Sequence, residues 1–169
     1  AITDSGGGGG LKASSYGLQT GVIGAALTGS GAVNKTGGDA VVLLGVNSYG
    51  GETVVSGGTL ALAGRGSIAA SSRLDIASGA VFDLSATDAG ASILRLSGLG
   101  AITLGARILT LTGADDAFGG VIDGAGGLSL AGGRETLSGA NRYTGATTIG
   151  QGATLALSGG GDISASSEV

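Results

Sequence analysis

The chain has 169 residues, enough for one domain with a sizeable core, yet that core must be built almost without aromatics: there are 2 Phe, 3 Tyr and no Trp or Met. With no Cys and no His, disulfides, thiolate metal sites, thiol nucleophiles, Ser-His-Asp relays and zinc-hydrolase arrangements are excluded within these residues. The formal net charge of −4 is spread along the chain without a basic run, which leaves no electrostatic footprint for nucleic acid or an anionic membrane surface.

Gly numbers 39 and Pro 0, so the many breaks in the chain are made by glycine. Collagen is excluded by the missing Pro and the missing three-residue period, and disorder is opposed by a hydrophobic content of 42%. The absence of Cys also fits a chain that stays unfolded while crossing a membrane. No apolar run is long enough for a transmembrane helix, and so few aromatics cannot build the two girdles of an outer-membrane barrel. The opening at Ala1, with neither Met nor a leader, reads as a fragment of a longer protein.

Residues 1–10, AITDSGGGGG, read as a flexible lead-in or a long turn. From residue 11 to 169, short apolar alternations are separated by Gly, Ser, Asn and Asp. They predict strands at 21–26, 40–44, 53–55, 59–63, 73–76, 80–84, 92–96, 101–104, 107–112, 121–122, 128–131, 135–138, 147–149, 154–157 and 162–164. No helical period appears, so essentially no α-helix is expected. Leu60 and Leu62, and again Leu155 and Leu157, point to one side of their strands with Thr and Ala on the other, whereas the strand at 107–112 leaves its face open.

Two stretches say the same thing. Asn47 to Leu62, NSYGGETVVSGGTLAL, matches Asn141 to Leu157, NRYTGATTIGQGATLAL, and the match runs on as GRGSIAASS from Gly64 and GGGDISASS from Gly159. The copies lie about 95 residues apart, or about four coils of a three-sided parallel β-helix at roughly 20 to 25 residues per coil. The whole chain would make about seven coils, stacked roughly 4.8 Å apart into a rod of about 30 to 35 Å. A β-helix is favoured over a sandwich, barrel or propeller because its narrow interior takes aliphatic ladders and its corners need Gly, Asn, Asp and Ser. A sandwich would want buried aromatics from both sheets, and only Phe82 and Phe118 are available.

The run from Gly126 through the second copy, with Glu135-Thr136-Leu137-Ser138-Gly139-Ala140-Asn141-Arg142-Tyr143-Thr144-Gly145 at its centre, resembles the passenger-associated transport repeat of bacterial autotransporters. The stretch from Val33 to Leu62 resembles it more loosely, departing at Gly45-Val46 and at Glu52, and ASGAVFDLS and AFGGVIDGAGGL between the copies also look like passenger sequence. Transport repeats are therefore expected near 33–62 and 126–157, within a resemblance that spans residues 33–169. It implies an all-β, right-handed, three-sided parallel β-helix. It further implies a non-catalytic passenger segment that supports secretion and folding, is exported through periplasm and outer membrane, and stands at the cell surface as a stalk. The implied partner is the C-terminal translocator barrel of the same precursor, outside these residues. No catalytic, cofactor-binding or metal-binding residue is implied.

The shared letters Asn47, Tyr49, Gly51, Thr53, Leu60 and Leu62, with Asn141, Tyr143, Gly145, Thr147, Leu155 and Leu157, are read as structural. Tyr49 and Tyr143 invite a sugar-stacking reading, but the same tyrosine at the same place in both copies is better explained by packing beside a coil corner. Asn47 and Asn141 are expected to bond backbone at a turn. The carboxylates Asp115-Asp116, and Asp83 with Asp88, are the candidates for glycoside chemistry, and are read as hydrated turn residues. Gly159-Gly160-Gly161-Asp162 lacks the spacing and the tandem copy of a calcium-binding coil. Asn34-Lys35-Thr36 is a formal glycosylation sequon and reads as a corner. Two other functions stay open. One is an adhesin or host-factor binding module using a β-helix face or the loop at 112–120, with a host surface protein or glycan as partner. The other is a carrier segment for a secreted hydrolase with its catalytic domain upstream. Open coil ends predict end-to-end self-association.

Overall fold

A computed structural model describes residues 10–169. The lead-in expected over 1–10 lies outside these, apart from Gly10, which begins the first strand. The described residues form twenty strands and no helix.

The strands stack on three faces, every pairing parallel. The first face holds β2 (Ser15–Leu18), β5 (Ala32–Lys35), β7 (Thr53–Val55), β9 (Leu74–Ile76), β12 (Leu96–Gly98), β15 (Ala114–Phe118), β18 (Gly133–Leu137) and β20 (Thr154–Leu157). The second holds β3 (Gly21–Ile23), β6 (Ala40–Leu43), β8 (Thr59–Gly64), β10 (Val81–Thr87), β13 (Ala101–Gly105) and β16 (Val121–Gly124). The third carries β1 (Gly10–Lys12) and β4 (Ala26–Thr28) at one end and β11 (Ala91–Ile93), β14 (Leu109–Leu111), β17 (Leu128–Leu130) and β19 (Thr147–Ile149) at the other. The chain visits the faces in turn, making a three-sided β-helix of about 7 coils, with the right-handed crossovers that parallel strands take. First-face register partners run from Tyr16 to Val33, Thr53, Leu74 and Leu96, so each coil uses about 20 residues.

Alternation makes the core. Val41, Leu60, Phe82, Ile102 and Ile122 form one continuous inward ladder on the second face, each at most 1% exposed. Leu109 and Leu128, and in parallel Ile93, Leu111 and Leu130, do the same on the third. This settles the face of the strand expected at 107–112: Leu109 and Leu111 point in, and Ile108 is left 55% exposed.

Strands β1, β2 and β5 form where none was expected, and other differences arise at corners. The strand expected at 21–26 breaks into β3 and β4 at Gly24-Ala25, and that at 92–96 breaks into β11 and β12 at Leu94-Arg95, because the chain changes face there. The stretch 162–164 is an isolated bridge from Asp162 to Ala140. The loop expected at 112–120 is a first-face strand, β15, with Ala114 and Phe118 buried. Asn34-Lys35-Thr36 is a strand end, with Asn34 exposed and Lys35 fully buried.

A ladder residue supports coils on both sides, so truncating one leaves a cavity that neither neighbour can fill. Phe82→Ala is expected to lower unfolding stability by about 3–5 kcal/mol in urea titrations, while Val81→Ala, on the outer side of the same strand, changes it by about 0.5 kcal/mol or less.

Candidate functional site

At Asn47 the chain leaves the second face and crosses the third without forming a strand. Backbone bonds still join it to its neighbours, Ser48 N–H to Leu27 O below and Asn47 N–H to Ser67 O above, and one side chain adds to them. Asn47 Oδ1 accepts the Leu27 N–H of the coil below at 2.8 Å, while Nδ2 donates to Gly45 O in its own coil at 3.0 Å and to Ser67 O in the coil above at 2.9 Å. Asn141 repeats this bond for bond, accepting from Ile122 N at 3.0 Å and donating to Gly139 O at 2.9 Å and Asp162 O at 3.1 Å. Each asparagine is 4% exposed. Asparagine suits the place because its amide carries an acceptor and a two-hydrogen donor on one planar group.

Two residues on, the tyrosine turns into the core. Tyr49 is 0% and Tyr143 1% exposed, so neither ring offers a face to a sugar. Tyr49 Oη lies 2.6 Å from Thr53 Oγ1, which lies 2.9 Å from Ser71 Oγ in the next coil. Ser71 Oγ shares its one hydrogen between the carbonyls of Gly51 and Arg73, at 2.8 and 3.0 Å. Its hydrogen being committed, Ser71 must accept from Thr53, and Thr53 in turn from Tyr49. The hydroxyls form a one-way chain, in which each bond polarises the next. Tyr143, Thr147 and Ser166 repeat it at 2.7 and 3.0 Å, ending on Gly145 O and Glu168 O. Burial pushes the Tyr49 phenol up to about 12, against the opposing effect of the nearby Thr53 and Ser71 hydroxyls. Tyr143 is raised by burial in the same way, and both stay neutral donors.

Gly51 and Gly145 lie between tyrosine and threonine because the coil below passes too close for a side chain. A Cβ there would meet Gly31 O at 2.3 Å and Gly126 O at 2.5 Å. The leucines end differently in the two copies. Leu60 and Leu62 are fully buried in β8, whereas in β20 Leu155 is partly buried and Leu157 47% exposed, β20 being the last described strand on its face.

The copies also occupy different faces. In the first, the Asn-Tyr segment crosses the third face and TLAL lies on the second; in the second, it crosses the second face and TLAL lies on the first. After Asn47 the third face is visited by residues 65–72, β11, β14 and β17, and the chain then passes β18 on the first face before Asn141. The offset is thus four coils and two further faces, not the whole number of coils expected.

Several partners escaped the motif match. Ser71 and Ser166 lie in the shared tail and close each hydroxyl chain; their recurrence as GRGSIAASS and GGGDISASS was the signal. Lys35 gave none. Its buried Nζ donates to Thr36 O, Gly37 O and, in the next coil, Gly57 O at 2.8, 3.0 and 2.9 Å, and burial holds its ammonium below the usual lysine range against the pull of Asp39.

The candidate carboxylates do not pair. Asp115 and Asp116 are neighbours on β15, so Asp115 points out and Asp116 in. Asp83 Oδ1 accepts the Ser85 N–H at 2.8 Å, and Asp88 is exposed beyond the end of β10. Asp162 is taken up by Ser164, whose N–H and Oγ bond its carboxylate at 2.7 and 3.0 Å.

The passenger-associated transport repeat matches residues 33–62 and 121–157. The chain is similar to the adhesin BmaC autotransporter of Brucella suis biovar 1 (strain 1330), 37% identical over 136 residues that make up 75% of this chain and 4% of that protein. It therefore spans only a small fraction of the length of that relative. No solved structure matches it.

Removing an asparagine side chain strands a buried N–H of the coil below, Leu27 or Ile122, while the carbonyls it bonded keep their backbone donors. Asn47→Ala and Asn141→Ala are each expected to cost about 1–3 kcal/mol by urea unfolding, against about 0.5 kcal/mol or less for the exposed neighbour Arg142→Ala.

Proposed function

Because this chain is a segment of an autotransporter passenger that carries passenger-associated transport repeats and is exported through the outer membrane to the cell surface, we propose that it is a non-catalytic spacer whose repeats fasten successive coils as the chain emerges. The observation that carries this reading is the identical Asn and Tyr-Thr-Ser bonding of both copies on two different faces. A ligand-binding stripe would keep its copies on one side of the rod with functional groups exposed. These copies are turned by roughly a third of a revolution and bury the groups they share.

A coil gains stability only by stacking on a folded neighbour. An asparagine that reaches the coils above and below commits three coils at once, which opposes sliding back through a pore. The partner in this role is the translocator barrel of the same precursor. A second reading, adhesion, is favoured by the name of the relative. It would use an outer surface such as the shallow third-face groove around Ile108, Thr110, Ser129 and Thr148, which has no charged or aromatic lining.

The test is made on the full precursor in a Gram-negative host, scoring protease-resistant passenger on intact cells. The double variant Asn47→Ala/Asn141→Ala is expected to lose most of it, while Arg142→Ala keeps the parental level. Parental surface yield from the double variant, with its purified segment destabilised, would refute the export role and leave a purely structural one.

Leu157 and Ile149, 47% and 41% exposed, lie on β20 and β19, the last described strands of their faces. The isolated segment is expected to associate end to end, seen as a sedimentation coefficient that rises with concentration; a single monomeric species throughout would count against it.

A further inference from the structure

Among the described residues, every buried side-chain atom that lacks a hydrogen-bond partner belongs to one cluster: Arg73 Nε, Asp116 Oδ2, and Glu135 Oε1 and Oε2. A rod that satisfies its polar groups elsewhere leaves four unsatisfied in a single place. Asp116 and Glu135 are register partners on adjacent coils, β15 under β18. Both take the inward parity of their strands, between Ala114, Phe118 and Leu137, and Glu135 is 0% exposed.

The charges around the pair decide what it can hold. The Arg73 guanidinium comes within 3.9 Å of Asp116 Oδ1 and is shared with Glu52 at 3.3 Å. Asp115 on β15 points outward toward Arg95 at 3.8 Å, and Arg134 on β18 is exposed on the outer side. From above, β20 brings no titratable residue; within the coil, β16 brings only the exposed Asp123, and β17 none. Nothing positive reaches Glu135. A divalent cation bridging the pair would have to sit beside the Arg73 guanidinium, and two bare carboxylates would face each other with Asp116 Oδ2 and both Glu135 oxygens buried. A proton answers both objections.

We propose that Glu135 is held as the neutral acid with its O–H directed at the free Oδ2 of Asp116, and that losing this proton loosens the seam between β15 and β18. Burial, reinforced by the charge of Asp116, pushes the Glu135 carboxyl up to about 8. The folded chain therefore binds more protons than the unfolded one between the ordinary carboxylate range and about pH 8. The contribution of Glu135 to stability is complete at the acid end of that window and is lost as pH rises through it. The rod thus contains one coil interface closed in neutral or acidic surroundings and weakened in alkaline ones.

The test is thermal unfolding of the purified chain between pH 6 and 9.5, together with amide exchange corrected for its intrinsic pH dependence. The wild type is expected to lose about 5–10 °C in melting temperature across that range, with amides of β15 and β18 losing protection before those of β8 and β10. Glu135→Gln should flatten both profiles. Asp116→Asn, which keeps the shape and removes the neighbouring charge, should move the transition to lower pH, and it carries the test if Glu135→Gln does not fold. A flat wild-type profile, a Glu135→Gln profile like the wild type, or recovery of the melting temperature at pH 9 on adding calcium chloride would each overturn the proposal, the last by showing a cation site.

Discussion

A coil of about 20 residues cannot bury its own apolar side chains, and everything in this structure follows from the need to stack. Inward Leu, Ile, Val and Phe form ladders whose rungs come from successive coils, and the parallel backbone ladder sets their spacing. Such stacking is continuous wherever all three faces carry strands. It thins where the third face loses its strand after β6 and the second after β18, and there the buried asparagines reinforce the few backbone bonds that remain. Each spans three coils with one amide group. The hydroxyl chain from the tyrosine ties the same coil upward a second time. In this chain each copy of the transport repeat crosses a face without a strand, and its asparagine and hydroxyl chain bond that crossing to adjacent coils.

Because those bonds run only to adjacent coils, the motif is indifferent to the face on which it falls. The two copies make the same contacts although one lies on the third face and the other on the second. That independence supports the folding role proposed above over recognition, whose copies would have to present themselves in one direction. The Asp116–Glu135 pair stands in contrast: it sits within an unbroken strand ladder and leaves buried carboxyl oxygens without partners, so its interface responds to pH while the asparagine locks do not.

The fold was legible because period-two alternation, abundant Gly and scarce aromatics leave few architectures that can be packed, and because the repeat was visible in the letters. Corners were less legible. At Gly24-Ala25 and Leu94-Arg95 the apolar pattern runs straight through a change of face, so two strands read as one. Strand β15 was hidden by Asp115 and Asp116, which look like turn residues until Ala114 and Phe118 are seen to share a parity with Asp116. In the candidate site, Asn47, Tyr49, Asn141 and Tyr143 were visible by recurrence. Ser71 recurred in the shared tail without its role being read, whereas Lys35 and Glu135 became clear only from the stacking register, since their partners come from neighbouring coils. The mistaken phase between copies has the same origin: a separation in residues fixes coils only when the residues per coil are known, and these vary with each corner.

Amide hydrogen exchange at Leu27 and Ile122 tests the central claim most directly, because these two backbone N–H groups are bound by asparagine side chains instead of by strand partners. If the asparagines are interlocks, both amides exchange as slowly as those of Leu60 and Ile102 in the strand ladder. Exchange at the rate of exposed turns would mean that the side chains merely rest at the corners, and that the coils are held by apolar stacking alone.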